Sequence, residues 1–180
     1  MPSISNPTVI IVAQVLSLFG MATNVMSMQC RKTKNVFILF LVGSVFFSAS
    51  YLLLGSYASV VLNFYSIARS CFMLADKRAR HPSQLIIMCI GLCVCGGIGF
   101  YLDGWIAIFP FMGQLGTTIG MWLRNGGKLR VLQLTMCSPA WLINNFLVHS
   151  IGGVLCELFV ITSTLISIRR YGWRNLLNND

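Results

Sequence analysis

Long apolar runs separated by short polar breaks organise this chain from Thr8 onward. A helix needs about 20 residues to cross roughly 30 Å of hydrocarbon. Windows of that kind fall at Thr8 to Met28, Val36 to Leu54, Tyr57 to Leu74, Gln84 to Leu102, Ile106 to Leu123, Val131 to His149 and Gly153 to Ile168. The pattern predicts an all-α integral membrane protein, one membrane domain over residues 1–180 with seven transmembrane helices. No basic residue precedes the first run and no small-residue cleavage site follows a short core, so this run is expected to be a retained helix.

The breaks alternate in charge. Arg31, Lys32 and Lys34 follow the first helix, Lys77, Arg78 and Arg80 the third, Arg124, Lys128 and Arg130 the fifth, and Arg169, Arg170 and Arg174 the seventh. The other three breaks carry no Lys or Arg, so twelve of the thirteen basic residues lie on one side. The positive-inside rule makes that side the cytoplasm. An odd helix count then predicts the N-terminus outside and the tail, 169–180, inside.

A repeat is visible within this alternation. Gln14, Gly20 and Met21 on the first helix recur in order as Gln114, Gly120 and Met121 on the fifth. Aligning Val36 with Val131 sets Tyr51 on Phe146, just before short outer turns at Gly55 to Ser56 and Ser150 to Gly153, and brings Asn63 within one residue of Glu157. The expected plan is 3+1+3: triple-helix units at 8–74 and 106–168 in parallel orientation, joined by a linker helix at 84–102. Two odd-numbered units need that extra crossing, and parallel repeats of this kind recur among small-solute transporters.

Composition narrows the function classes. With 56% hydrophobic and 9% charged residues, the chain cannot cover a soluble globule with polar surface. The net charge of +9 lies in short loops rather than in a basic patch, which excludes a nucleic-acid binder. Cys71, Cys89, Cys93, Cys95, Cys137 and Cys156 sit inside apolar runs and Cys30 borders a basic loop, so buried thiols are expected rather than disulfides. The pair Cys93 and Cys95 lacks zinc-knuckle spacing. No metal or cofactor is expected. Without a Walker loop, paired carboxylates or a nucleophile matched to His81 or His149, no enzyme is expected either.

Ionisable groups inside a bilayer are costly and mark a cavity, a partner or a pathway. Glu157 lies roughly 6 Å below the outer boundary and Arg69 about 18 Å below it, at 1.5 Å of rise per residue. That difference of about 12 Å argues against a direct ion pair. The bland readings are snorkelling for Arg69 and an interfacial carboxyl for Glu157. Asn63 shares the depth of Glu157, and the two define the candidate site. Gln14, Ser17 and Asn24 form a polar stripe on the first helix, as Gln114 and Thr117 do on the fifth. Trp141 and Asn144, three residues apart, offer an aromatic wall beside an amide, with Asn145 adjacent. Polar groups of this kind more often pack helices than bind a ligand, and an interfacial Trp with interhelical amide bonds is the commoner arrangement. Pro110 and Pro139 are candidate bending points.

The chain resembles the YgjV-type bacterial inner membrane proteins. The resemblance rests on Ile143, Asn145 and Phe146, followed by Ser150, Ile151, Gly152, Gly153 and Glu157, and on Gly55 and the Leu62 to Asn63 pair. It covers nearly the whole chain and implies a multi-pass location in the bacterial inner membrane, without implying an activity. More distantly, the 3+1+3 plan is similar to that of SWEET and PQ-loop transporters, in which asparagines on the third and seventh helices line a central sugar site, and to that of nicotinamide riboside-type carriers. Asn63 fits that pattern. Glu157 stands near the second asparagine position, while Ala13 and Gly113 stand where PQ-loop proteins have proline before the glutamine, and the first two helices contain no proline.

The expected function is a facilitator of a small polar solute, working by alternating access around Asn63 and Glu157, with Trp141, Asn144, Asn145, Gln14 and Gln114 lining the path. The expected partners are the lipid bilayer and that solute, with a homo-oligomer left open. The rival reading is a non-transporting membrane scaffold or regulatory subunit.

Overall fold

The computed structural model describes residues 7–29, 33–75, 81–123 and 126–171. Within them the chain is almost wholly helical: α1 (Pro7–Gln29), α2 (Thr33–Leu53), α3 (Tyr57–Ala75), α4 (Pro82–Asp103), α5 (Ile108–Trp122), α6 (Gly126–Leu132), α7 (Ser138–Leu147) and α8 (Ile151–Tyr171). A 3-10 turn, Gly104–Ala107, joins α4 to α5, and a π-helical turn, Gln133–Cys137, joins α6 to α7 without a break. Among the described residues, α6, the π turn and α7 therefore form one continuous rod. Cys30, Arg31, Lys32, Lys77, Arg78, Arg80, Arg124, Arg174 and the tail from 172 onward lie outside the described residues.

Three stretches are long and apolar enough to cross a membrane: Pro7–Ser27, Tyr57–Ala75, and Pro82–Trp122, which runs through α4 into α5. Phe37–Leu53 and Ile151–Ile166 are shorter apolar helices.

Side chains are distributed in the inverse of a water-soluble protein. Phe19, Phe64, Ile86, Ile90, Val94, Phe159 and Ile166 are exposed, while Ser17, Ser50, Asn63, Arg69, Gln114, Asn144 and Glu157 are buried. This is the arrangement lipid favours, since hydrocarbon solvates the apolar exterior and polar groups must find partners inside. The α4 helix shows the rule most simply: only the stripe Gln84, Met88, Leu92, Gly96 and Gly99 is buried. Tyr57, Tyr101 and Trp105 are exposed around the α4–α5 turn, where amphipathic rings suit a membrane–water boundary.

The rods pack as a closed ring. The α1 helix lies against α2 and α8, α2 against α3, α3 against α5, α5 against α6 and α7, and α7 against α8. The α4 helix stands outside this ring, packed on α3 and α5. The α1–α8 contact is close because of glycine: a Cβ on Gly152 would stand 2.6 Å from the Ser17 carbonyl carbon and 2.7 Å from the Leu18 nitrogen.

Two turns fix the chain register. After α2, Leu54 N–H donates to Ser50 O, Gly55 N–H to Leu52 O, Ser56 N–H to Tyr51 O and Val60 N–H to Ser56 O. After α7 the same four bonds recur from Val148 to Asn144, His149 to Phe146, Ser150 to Asn145 and Val154 to Ser150. Gly55 and His149 hold the same left-handed position, at φ 73° and 54°. Every pair is offset by 94 positions, as Ser56 is from Ser150. This corrects the alignment of Tyr51 with Phe146. The turn partner of Tyr51 is Asn145, and on the same offset Asn63 meets Glu157. The correction agrees with burial, because Tyr51 is buried whereas Phe146 is 72% exposed. Valines in apolar helices are interchangeable, so matching Val36 to Val131 could not fix a register that a hydrogen-bonded turn does fix.

Candidate solute cavity

A partly open cavity of about 50 Å³ lies within the ring, space for the centres of a few water molecules at roughly 10–15 Å³ each. Every rod of the ring contributes to its wall. The α1 helix gives Asn24, α2 gives Phe40, Ser44, Phe47 and Tyr51, and α3 gives Asn63, Ser66 and Arg69. The α5 helix gives Gln114 and Thr117, the π turn Gln133, α7 Trp141 and Asn145, and α8 Glu157.

Helical spacing explains these faces. Phe40, Ser44, Phe47 and Tyr51 recur every three or four residues along α2, as Asn63, Ser66 and Arg69 do every three along α3. Pro139 supplies no N–H and its ring crowds the carbonyl four residues earlier. The preceding turn widens, with Ser138 N–H donating to Gln133 O across five residues, and so Gln133 faces the cavity. Pro110 is buried in the first turn of α5, where a missing N–H is tolerated.

Arg69 is 2% exposed. Its Nη1 donates to Gln114 Oε1 at 2.8 Å and Thr118 Oγ1 at 2.9 Å, and its Nη2 to Ser66 Oγ at 3.0 Å. The guanidinium also lies 5.4 Å from the centre of the Tyr65 ring. All these partners are neutral. Glu157, 7% exposed, has the Ser138 hydroxyl beside its carboxyl. The two ionisable groups line one cavity, and no ion pair joins them.

The cavity concentrates unmet polar atoms. Among the described residues, six buried side-chain atoms have no hydrogen-bond partner, and four of these belong to cavity residues: Asn24 Oδ1, Arg69 Nε, Gln133 Oε1 and Glu157 Oε2. Leaving a buried donor or acceptor unmet costs about 1–3 kcal/mol, and more for a charged group, so these atoms offer hydrogen bonds to polar matter in the cavity, water included. One wall is aromatic, with Phe47 stacked on Tyr51 at 5.8 Å between ring centres and Tyr51 on Trp141 at 6.1 Å. Tyr51 Oη donates to Asn145 Oδ1 at 2.5 Å.

The structure thus brings Asn63, Arg69, Gln114, Trp141, Asn145 and Glu157 to one space. It places two other candidates elsewhere. Gln14 caps the α7–α8 turn, its Nε2 donating to His149 O at 2.7 Å and its Oε1 accepting from Ile151 N–H at 2.8 Å. Asn144 binds Ser59, its Nδ2 donating to Ser59 Oγ at 3.0 Å. The α2 face and Gln133 were not among the candidates. The spacing of Phe40, Ser44, Phe47 and Tyr51 carried a signal that could have been read, whereas the direction of Gln133 depends on the π turn. Among the described residues no group of His, Cys, Asp or Glu could hold a metal ion.

Residues 11–175 match the family model for Imp-YgjV, described as bacterial inner membrane protein. No curated protein and no solved structure matches the chain, so the likeness to SWEET and PQ-loop transporters is not shown.

Proposed function

The chain belongs to the Imp-YgjV family of bacterial inner membrane proteins, and from its central cavity we propose that it is a carrier for a small polar solute. It is a multi-pass protein of that membrane. In this reading seven helices span the bilayer with the N-terminus outside, and two parallel triple-helix units, α1–α3 and α5–α8, move against each other to open the cavity to either side in turn. The observation that carries the reading is the cavity itself: a polar, incompletely satisfied space at the centre of a ring drawn from both units. A scaffold whose polar residues only pack helices would leave few unmet buried atoms, and would not gather them around one space. The matched turns at an offset of 94 residues support the two-unit plan, and the exposed apolar faces support the spans.

Two-sided chemical access tests this without knowledge of the solute. In a chain freed of its native cysteines, Asn63→Cys should react with a membrane-impermeant maleimide applied to right-side-out vesicles and also to inverted vesicles. A cysteine at lipid-facing Phe64 should react from neither side. Failure of Asn63→Cys to react from both sides would leave the cavity closed and return the protein to a packing or scaffold role.

A further inference from the structure

We propose that the solute is a small zwitterion bearing an amine and a carboxylate, with the amine held at Glu157 and the carboxylate at Arg69. This rests on the carrier reading of the same cavity and specifies its cargo. The argument begins with charge. Glu157 and Arg69 are both more than nine-tenths buried and both line the cavity, yet neither has an ionic partner among the described residues. A buried charge left unpaired is strongly destabilising, and in a bilayer interior it marks a ligand or a pathway.

The unmet atoms assign the two ends. Around Glu157 the lack is of donors. Its Oε2 and Gln133 Oε1 are both unpartnered, and the two side chains meet through Ser138, whose hydroxyl lies beside the Glu157 carboxyl and accepts from Gln133 Nε2 at 3.5 Å. An ammonium group supplies three N–H donors and a positive charge. Around Arg69 the lack is of an acceptor. Its Nη atoms are occupied by neutral oxygens and its Nε is unpartnered, and a carboxylate supplies an acceptor and a negative charge. A neutral polyol would meet the hydrogen bonds and leave both charges uncompensated. An amine alone or a carboxylate alone would compensate only one. Helical rise sets the two groups about 12 Å apart in depth, so the amine and the carboxylate of the solute stand several bonds apart, as in 4-aminobutyrate or 5-aminopentanoate.

The test is the apparent Tm of the detergent-purified full chain with 4-aminobutyrate or 5-aminopentanoate, compared with propylamine, butyrate, the two together, and glycerol at equal concentration. Near saturation a zwitterion should raise Tm by about 3 °C or more, with little effect from the separate ions or glycerol. Glu157→Gln keeps the side-chain shape and should remove the gain, as should Arg69→Gln. If Arg69→Gln does not fold, Glu157→Gln carries the test. A gain from glycerol alone, or a zwitterion gain that survives Glu157→Gln, would overturn the assignment while leaving a carrier for a different solute. No gain from any compound would also overturn it, and two-sided labelling of Asn63→Cys would then decide separately whether the carrier reading stands.

Discussion

The hydrogen bond from Tyr51 to Asn145 joins residues at matching turn positions of the two halves, and both are buried. Tyr51→Phe leaves the Asn145 carbonyl oxygen unmet and should cost about 1–2 kcal/mol, whereas Tyr51→Phe with Asn145→Leu should cost less than the two single changes summed, because no orphan remains. Thermal unfolding of the four proteins in detergent gives the cycle; additive losses would mean the bond contributes nothing of its own. At this scale the sequence was informative for Arg69, Asn63 and Glu157, since an ionisable or amide group in an apolar run is conspicuous by its cost. It misled at Gln14 and Asn144, whose places in polar stripes looked like those of cavity residues. A helical stripe shows which way a side chain points, not whether it meets a cavity, a turn or another helix.

Helix positions were legible to within a few residues, because hydrophobic length is read directly from the chain. Close approach was not, because it depends on which helices become neighbours. Gly152 and Gly97 show the difference. A Cβ at Gly152 would press into the α1 backbone, while at Gly97 it would meet nothing within 4 Å. Gly152→Ala should therefore destabilise by about 1–3 kcal/mol, as overpacking against backbone does. Gly97→Ala should be neutral or gain up to about 1 kcal/mol from helix propensity. Apparent Tm in detergent measures both, and equal effects would remove the argument for a glycine-set α1–α8 contact. The π turn before Pro139 also escaped the sequence reading. A proline announces a disturbed helix, but not whether the chain will bend or widen to relieve it.

For the whole molecule, alternation of basic and uncharged loops predicted an arrangement that hydropathy alone could not orient. Alkaline phosphatase is active only outside the inner membrane, so fusions after Gly55 or Gly104 should be active and fusions after Arg130 or Asp180 inactive. Activity at Asp180 would reverse the C-terminal orientation. The ring, and the position of α4 outside it, could not be read from one sequence, because an apolar helix can face lipid or a neighbour alike. The 94-residue register has a further consequence. It pairs Glu157 with Asn63 and Arg69 with Ser163, so neither ionisable residue has an ionisable counterpart at the matching position. Two identical copies of either half would face each other with like charges, two carboxylates or two guanidiniums across a shared axis, and would repel. On the proposed two-unit plan, only units that have diverged within a single chain can set an acidic group against a basic one, which gives the cavity an electrical direction that the matching turns alone do not.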